Sequence, residues 1–246
     1  MPEFQVPWRL EKQSLEDLKA ILGEAQALSV SFALIGGYAA RAYTKPAHYR
    51  GTKDIDFITL KSEYGKLKGI LKHLGYKVEE TRHGLKAVKK TPGGEIKLDL
   101  ASDKIIDDSS GQTYALPQDC FQRATPRPIT ALYEQNAGLA TQAIVAPVED
   151  VLIMKLCTDM NQRPRDRYDA AAILLDSISA PNAAVFAKNA AAAGLASHMK
   201  KRIDELLVII KQNKLPGLWR EYSNMELPRS QQNEIKKKLE ALREKL

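Results

Sequence analysis

The pattern of apolar residues changes near Pro147, and this change limits the fold more than any other feature of the chain. Before this proline, short runs of β-branched and aromatic residues alternate with amphipathic segments, which is typical of strands mixed with helices. After it, apolar residues recur at helical spacing almost to the end, with Pro or Gly between segments. We therefore predict an α+β fold, with a mixed sheet and helices in residues 1–147 and an all-helical C-terminal domain in residues 148–246.

The first part contains several candidate strands separated by turns and helices. Ser14 precedes apolar residues at helical spacing and is a candidate N-cap of an opening helix. The predicted strands, in order, are SFALI, DIDFITL, YKVEET, LKAVKKT and EIKLDLA, with two more between Thr125 and Pro147.

Composition predicts an ordinary globular protein. The chain has 246 residues, of which 44% are hydrophobic and 27% charged, so it can bury a sizeable core. Cys120 and Cys157 lie far apart and match no metal-ligand spacing. The sequence shows neither a signal segment nor an apolar run long enough to cross a membrane, so we expect a soluble, cytoplasmic protein.

The net charge is positive but does not by itself indicate a function. The 37 Lys and Arg residues exceed the 30 Asp and Glu residues, which gives a formal charge of +7. Clustered cations would suit a polyanionic partner. Much of the excess lies in the last third of the chain, on predicted helices where solvated charge is also ordinary.

Three aspartates on predicted strands form a candidate metal site. Side chains two residues apart in a strand point to the same face, so Asp54 and Asp56 would share one small volume. Two close carboxylates repel each other unless a cation neutralises them, and oxygen ligands suit magnesium or manganese. Asp99, between Leu98 and Leu100 on another strand, is the third candidate ligand.

A glycine pair stands between the first predicted strand and the next helix. Gly36 and Gly37 would let backbone N–H groups approach a ligand closely at a helix N-terminus, where a phosphate group is favoured. Taken singly, a glycine pair, an Asp-x-Asp string and a strand aspartate are each more often structural than functional. Their order and spacing together favour a nucleotide site.

The segment GGYAARAYTKPAHYRGTKDIDF followed by IKLDL resembles the nucleotidyltransferases of the polymerase β superfamily. Within that superfamily the chain is most similar to the AbiEii-like toxins, in which Arg50 and Thr52 would match an R-x-[ST]-x-D-[IL]-D string. The resemblance covers roughly residues 30–175 and extends to Lys155, Arg163 and the R-D-x-x-D stretch that contains Asp166 and Asp169.

The resemblance implies a catalytic nucleotidyltransferase domain over residues 1–147. Asp54, Asp56 and Asp99 would hold two Mg²⁺ or Mn²⁺ ions, with an NTP as substrate. The nucleotide-binding residues that the resemblance implies are Gly36, Gly37, Arg50, Thr52, Lys155, Asp166 and Asp169. Without the resemblance, Lys155 reads equally as a helix-surface lysine and Asp166 as an acid in the first turn of a helix.

The acceptor of the nucleotide stays open at this stage. One hypothesis is a toxin that adds nucleotides to the 3′ end of tRNA or another RNA and is controlled by a cognate antitoxin protein. Another is modification of a protein side chain or of a small hydroxylated molecule such as an aminoglycoside. A third, non-enzymatic hypothesis is a nucleic-acid-binding or antitoxin-like module that has lost catalysis, although such a module would need none of the three aspartates.

Overall fold

The structure is a computed structural model that describes residues 6–81, 84–117, 119–177 and 181–246. The strands in these ranges are β1 Phe32–Ile35, β2 Ile55–Thr59, β3 Lys77–Thr81, β4 Gly84–Thr91, β5 Gly94–Ala101, β6 Lys104–Ile106, β7 Thr113–Ala115, β8 Thr125–Ile129 and β9 Thr141–Val145. The helices are α1 Trp8–Ala27, α2 Gly36–Ala42, α3 Tyr64–His73, α4 Cys120–Arg123, α5 Val148–Cys157, α6 Pro164–Asp176, α7 Ala183–Ala192, α8 Ala196–Lys211, α9 Leu215–Ser223 and α10 Arg229–Lys245.

Seven strands form one mixed sheet in the order β3-β4-β5-β2-β1-β9-β8, and β6 and β7 form a separate hairpin. The central strand β2 is antiparallel to β1 and parallel to β5. Every strand that the sequence predicts is present, and helices follow Pro147, so the α+β prediction is confirmed.

Two clusters of buried apolar side chains stabilise the fold. The first lies between the sheet and helices α1, α2 and α3, and it includes Val151 of α5. The second lies among the C-terminal helices, and its first member on α5 is Leu152, the residue after Val151. Tyr114 of the β6–β7 hairpin belongs to the second cluster, and its hydroxyl donates to the buried Asp150 of α5. Helix α5 therefore joins both cores, and the domain boundary at residue 147 stays a prediction.

Four details differ from the sequence-based expectations. The first helix begins at Trp8, so Ser14 is not its N-cap; Ser14 is buried within the helix, where its hydroxyl donates to the Lys53 carbonyl at 2.7 Å. Strand β2 begins at Ile55, which leaves Asp54 just outside it. The β6–β7 hairpin and helix α9 were not predicted, because three-residue strands and a Pro-Gly pair give weak periodic signals.

No helix in the described ranges combines the length and apolar character needed to cross a membrane.

Candidate active site

Asp56 and Asp99 lie side by side at the centre of the sheet. Asp56 on β2 is in register with Asp99 on the parallel neighbour β5, and with Ile35 on β1. Residues in register on adjacent strands project to the same face, so the two carboxylates share one site. Asp56 is partly buried and Asp99 is exposed, which leaves Asp99 the more open to an incoming molecule.

Asp54 joins this pair from the loop before β2. Its carboxylate accepts from Lys53 Nζ at 3.1 Å, and the same ammonium donates to the Glu95 carbonyl at 2.6 Å, next to the start of β5. Asp54, Asp56 and Asp99 all line one cleft of about 700 Å³, which we call the central cleft. The structure thus brings the three predicted aspartates together.

Gly36 makes the close approach to Asp56 possible. Its φ of +68° is readily adopted by glycine, and an added Cβ would lie 1.8 Å from Asp56 Oδ2. Gly36 lines the central cleft. Its neighbour Gly37 does not: a Cβ there would lie 2.5 Å from Thr52 Oγ1 and 3.4 Å from Arg50 Nη2. Gly37 therefore allows close packing against Thr52 and Arg50. Of the two glycines, only Gly36 lines the cleft.

The local charges favour a bound cation. Burial, followed by the negative charge of Asp99, raises the pKa of Asp56 to about 6, although Lys155 opposes the shift. Burial also raises the pKa of Asp99, against the opposing charge of Lys86, and Asp54 adds to the increase. Groups that resist ionisation beside one another are stabilised as carboxylates when a cation binds.

The donor chemistry fits a hard divalent metal, although a ready-made cage is absent. In the described part of the chain, no three His, Cys, Asp or Glu side chains already converge as metal ligands. The three aspartates nevertheless offer oxygen atoms alone, on one wall of the central cleft, and this is the donor type that Mg²⁺ and Mn²⁺ prefer. The donor set fits, and the number of ions stays a prediction.

The second predicted set of residues forms a buried network of alternating charge. Lys155 Nζ lies 2.7 Å from Asp166 Oδ1 and 2.7 Å from Asp169 Oδ2. Arg50 binds Asp169 through two contacts of 2.6 Å, from Nε to Oδ1 and from Nη2 to Oδ2. Burial would raise the pKa of Asp169, but Arg50 and Lys155 outweigh it and lower that pKa to about 2.

Arg163 extends the network toward the hairpin. Its Nε lies 2.7 Å from Asp166 Oδ2, and its Nη1 lies 3.3 Å from Asp107 Oδ1. We call the full set the charge network: it comprises Arg50, Asp169, Lys155, Asp166, Arg163 and Asp107. Of the nucleotide-binding residues that the resemblance implies, Gly36, Lys155 and Asp166 line the central cleft, whereas Gly37, Arg50, Thr52 and Asp169 do not.

Several cleft residues were missed by the sequence analysis. Lys86 on β4 is in register with Asp99, and Lys97 lies two residues before Asp99 on β5, so both lysines share its face. Lys104 and Asp108 line the same cleft. The segment KIIDDSSGQTYA, with turn residues between two short apolar runs, was the signal that could have revealed the β6–β7 hairpin.

Comparisons with known proteins identify a family but no curated relative. A family model described as nucleotidyl transferase AbiEii toxin, type IV TA system, matches residues 20–244. No curated protein matches the chain.

Similar solved structures are distant in sequence. JHP933 from Helicobacter pylori is 16% identical, with 95% of this chain and 93% of that chain covered and a TM-score of 0.48. The antibiotic-resistance factor ANT(2'')-Ia in solution is 15% identical, with 82% and 94% covered and a TM-score of 0.43. The lincosamide antibiotic adenylyltransferase LnuA, bound to lincomycin, is 16% identical, with 64% and 94% covered and a TM-score of 0.42. The family match carries the assignment.

Proposed function

Since the chain belongs to the AbiEii nucleotidyltransferase toxin family, we propose that it transfers a nucleotide in the central cleft from an NTP to a hydroxyl group of RNA, such as the 3′ end of tRNA. The chain is a nucleotidyltransferase by family, so the proposal concerns the site, the metal and the acceptor. The pairing of Asp56 with Asp99 across β2 and β5 is the observation that carries it. A cognate antitoxin protein is the partner that a type IV toxin–antitoxin family implies.

We assign the metal to Asp54, Asp56 and Asp99, which all line the cleft. When bound, Mg²⁺ or Mn²⁺ supplies charge neutralisation at the triphosphate, which is the largest electrostatic demand of nucleotidyl transfer. The raised pKa values of Asp56 and Asp99 support this assignment, because two neighbouring carboxylates without a cation are electrostatically strained.

The residues around the metal site have separate roles in this proposal. Gly36 keeps the backbone close to Asp56, so that the phosphates approach the carboxylates without meeting a side chain. Asp99, the exposed member of the pair, would accept the proton of the attacking hydroxyl group. The hydroxyl oxygen would then bond to the α-phosphorus of the NTP, and pyrophosphate would leave.

Lysines beside Asp99 favour a phosphate-bearing acceptor. Lys86, Lys97 and Lys104 all line the cleft, and Lys86 and Lys97 share the strand face of Asp99. Backbone phosphates next to the reacting hydroxyl group would offset these charges, as lysine contacts with nucleic-acid backbones do. A neutral acceptor would offer these lysines no phosphate, so the geometry supports RNA over an uncharged hydroxylated molecule. Family membership likewise favours an enzyme over a catalytically inactive binding module.

The test is incubation of the purified protein with Mg²⁺ and each α-³²P-labelled NTP, with and without total tRNA. We expect label in tRNA from the wild-type protein and none from an Asp54→Ala/Asp56→Ala variant. Lys86→Ala/Lys97→Ala should lower labelling of tRNA about tenfold, since each lost phosphate contact weakens binding. Lys72→Ala, on the exposed face of α3, serves as its control.

The distribution of label distinguishes the alternatives. Label on the protein itself, with tRNA unlabelled, would replace the RNA acceptor by a protein acceptor. Absence of transfer to any acceptor, together with no thermal shift upon addition of NTP and Mg²⁺, would overturn the proposed site.

A further inference from the structure

Arg163 occupies an unusual position in the charge network because it is the member most open to the central cleft. Its side chain is 37% exposed, whereas that of Lys155 is 6% exposed and is paired with both Asp166 and Asp169. Arg163 lines the cleft, and its positive charge acts to lower the pKa of Asp56. A guanidinium carries five N–H donors, and within the described residues its ion-pair partners are Asp107 and Asp166. Donors therefore remain to bind an anion in the cleft.

Asp107 holds Arg163 through its carboxylate, from the loop of the β6–β7 hairpin. One carboxylate oxygen, Oδ1, accepts from Arg163 Nη1 at 3.3 Å. The other, Oδ2, accepts from Ser109 Oγ at 2.6 Å and from the Ser110 backbone N–H at 2.7 Å. Asp107 is buried, with 6% of its surface exposed. Its carboxylate is therefore fixed by the turn of the hairpin and presents one oxygen to the arginine.

A hydrogen bond holds the turn of the β6–β7 hairpin against the loop before α6. The Asp159 backbone N–H donates to Ser109 Oγ at 2.9 Å, so one serine contacts both Asp107 and the segment that leads to Arg163. The hairpin backbone is closed by the Asp107 N–H, which donates to the Gln112 carbonyl at 2.9 Å. Both sides of the Asp107–Arg163 contact are thereby fixed before any substrate arrives.

We propose that Asp107 is a positioning residue that holds the Arg163 guanidinium in the central cleft to bind the phosphates of the NTP. The inference rests on the proposed function of the cleft. Without the Asp107 carboxylate, Arg163 keeps its contact with Asp166 but is free to turn toward solvent, where a long charged side chain gains conformational freedom. Asp107 also lines the cleft, but both of its carboxylate oxygens already accept from protein donors, so in this proposal it acts through the arginine.

The experiment measures NTP binding in the presence of Mg²⁺ by calorimetry, together with kcat and KM for transfer. It compares the wild-type protein with Asp107→Asn, Arg163→Ala and the double variant. Asp107→Asn is suitable because its amide oxygen retains an acceptor for the Ser109 and Ser110 donors while the charge next to Arg163 is lost. Asp103→Asn is the matched control: Asp103 is an exposed acid at the start of the same hairpin, and its side chain bonds Ser102.

We expect Asp107→Asn to weaken NTP binding and raise KM about fivefold to tenfold, with kcat changed by less, since one charge-assisted contact is weakened. Asp103→Asn should match the wild-type protein. The double variant should bind no more weakly than Arg163→Ala alone, because Asp107 has no task once the arginine is gone.

Two results would overturn the inference. One is wild-type binding by Asp107→Asn while Arg163→Ala binds weakly. The other is a double variant whose loss equals the product of the two single losses, which would indicate independent roles. A wild-type protein that binds no NTP would contradict the proposed function itself. The two results above would contradict only the role of Asp107, so the two failures are distinguishable.

Discussion

Arg50 and Asp169 are joined by two parallel contacts of 2.6 Å, from Nε to Oδ1 and from Nη2 to Oδ2, although 119 residues separate them. Arg50 lies in the loop before β2, and Asp169 lies on α6. The pair therefore fixes the loop that leads into the carboxylate strand against the helical half. Because Asp169 also pairs with Lys155, the geometry of the cleft depends on a contact outside it.

Breaking this pair should destabilise the protein far more than breaking an exposed one. The Arg50 and Asp169 side chains are 11% and 4% exposed, so Arg50→Met leaves a buried carboxylate short of one partner. We expect the free energy of unfolding to fall by about 3–5 kcal/mol. Arg243→Met is the control: Arg243 and Asp204 form an equally short pair of 2.5 Å, but with side chains 43% and 45% exposed, so the loss should stay within about 1 kcal/mol. Urea denaturation compares the two, and equal losses would contradict the role of burial.

The same pair should make stability sensitive to acid. Burial would raise the pKa of Asp169, but Arg50 and Lys155 lower it from 3.8 to about 2. A carboxyl group whose pKa is lower in the folded state contributes stability above its unfolded pKa and loses that contribution as the pH falls through the folded pKa. The contribution is about 2 kcal/mol near neutral pH.

The measurement is the difference in unfolding free energy between wild-type protein and Asp169→Asn. We expect a constant difference from pH 8 to pH 5 and a decrease as the pH falls from about 4 toward 2. A difference that persists undiminished at the acid end would show that the pair contributes through packing rather than through charge.

Gly36→Ala should inactivate the enzyme. An alanine Cβ at this φ of +68° would lie 1.8 Å from Asp56 Oδ2, so the carboxylate or the turn must move. Backbone strain alone costs about 1–3 kcal/mol, and a displacement of about 1 Å at a reacting group lowers turnover about a hundredfold. Gly69→Ala in α3 is the control, because nothing lies within 4 Å of its Cβ and helical alanine is favoured by about 1 kcal/mol. Full activity of Gly36→Ala would remove the glycine from the site.

Asp56→Asn and Asp99→Asn should each lower nucleotide transfer at least about a hundredfold without unfolding the protein. Each change removes one of three mutually repelling carboxylates, so the thermal midpoint of the metal-free protein should stay the same or rise. Transfer assays paired with thermal melts, with and without Mg²⁺, test both parts. The added Mg²⁺ should raise the midpoint of the wild-type protein more than that of either variant, and equal shifts would place the metal elsewhere.

The carboxylate site was predictable because it depends on local rules. Alternation along a strand placed Asp56 and Asp99 on polar positions between buried neighbours, and a glycine pair after an apolar run predicted the turn that holds Gly36. The structure places Asp56, Asp99 and Gly36 at the central cleft, with Asp54 one residue outside the strand, and their catalytic roles stay predictions. The family match over residues 20–244 agrees with the resemblance read from the same motifs.

The charge network was not predictable in the same way. Arg50, Asp107 and Lys155 belong to segments far apart in sequence, and their spacing carries no periodic signal. The sequence suggested Lys155 as a phosphate contact; that role stays a prediction, and the structure shows both of its carboxylate partners. No sequence signal indicated a role for Asp107, because the β6–β7 hairpin that positions it was not predicted.

The sequence by itself determined the α+β class, the order of the strands along the chain and the aspartates at the centre of the sheet, because strand alternation and turn chemistry act over a few residues. Only the tertiary structure decided which cation of the charge network is the more exposed at the central cleft. Packing of α5 against α6 buries Lys155 between Asp166 and Asp169, and Arg163 stays at the cleft beside Asp107. Those contacts depend on how distant elements pack together, and side-chain burial then determines which charges are paired and which remain open to a substrate.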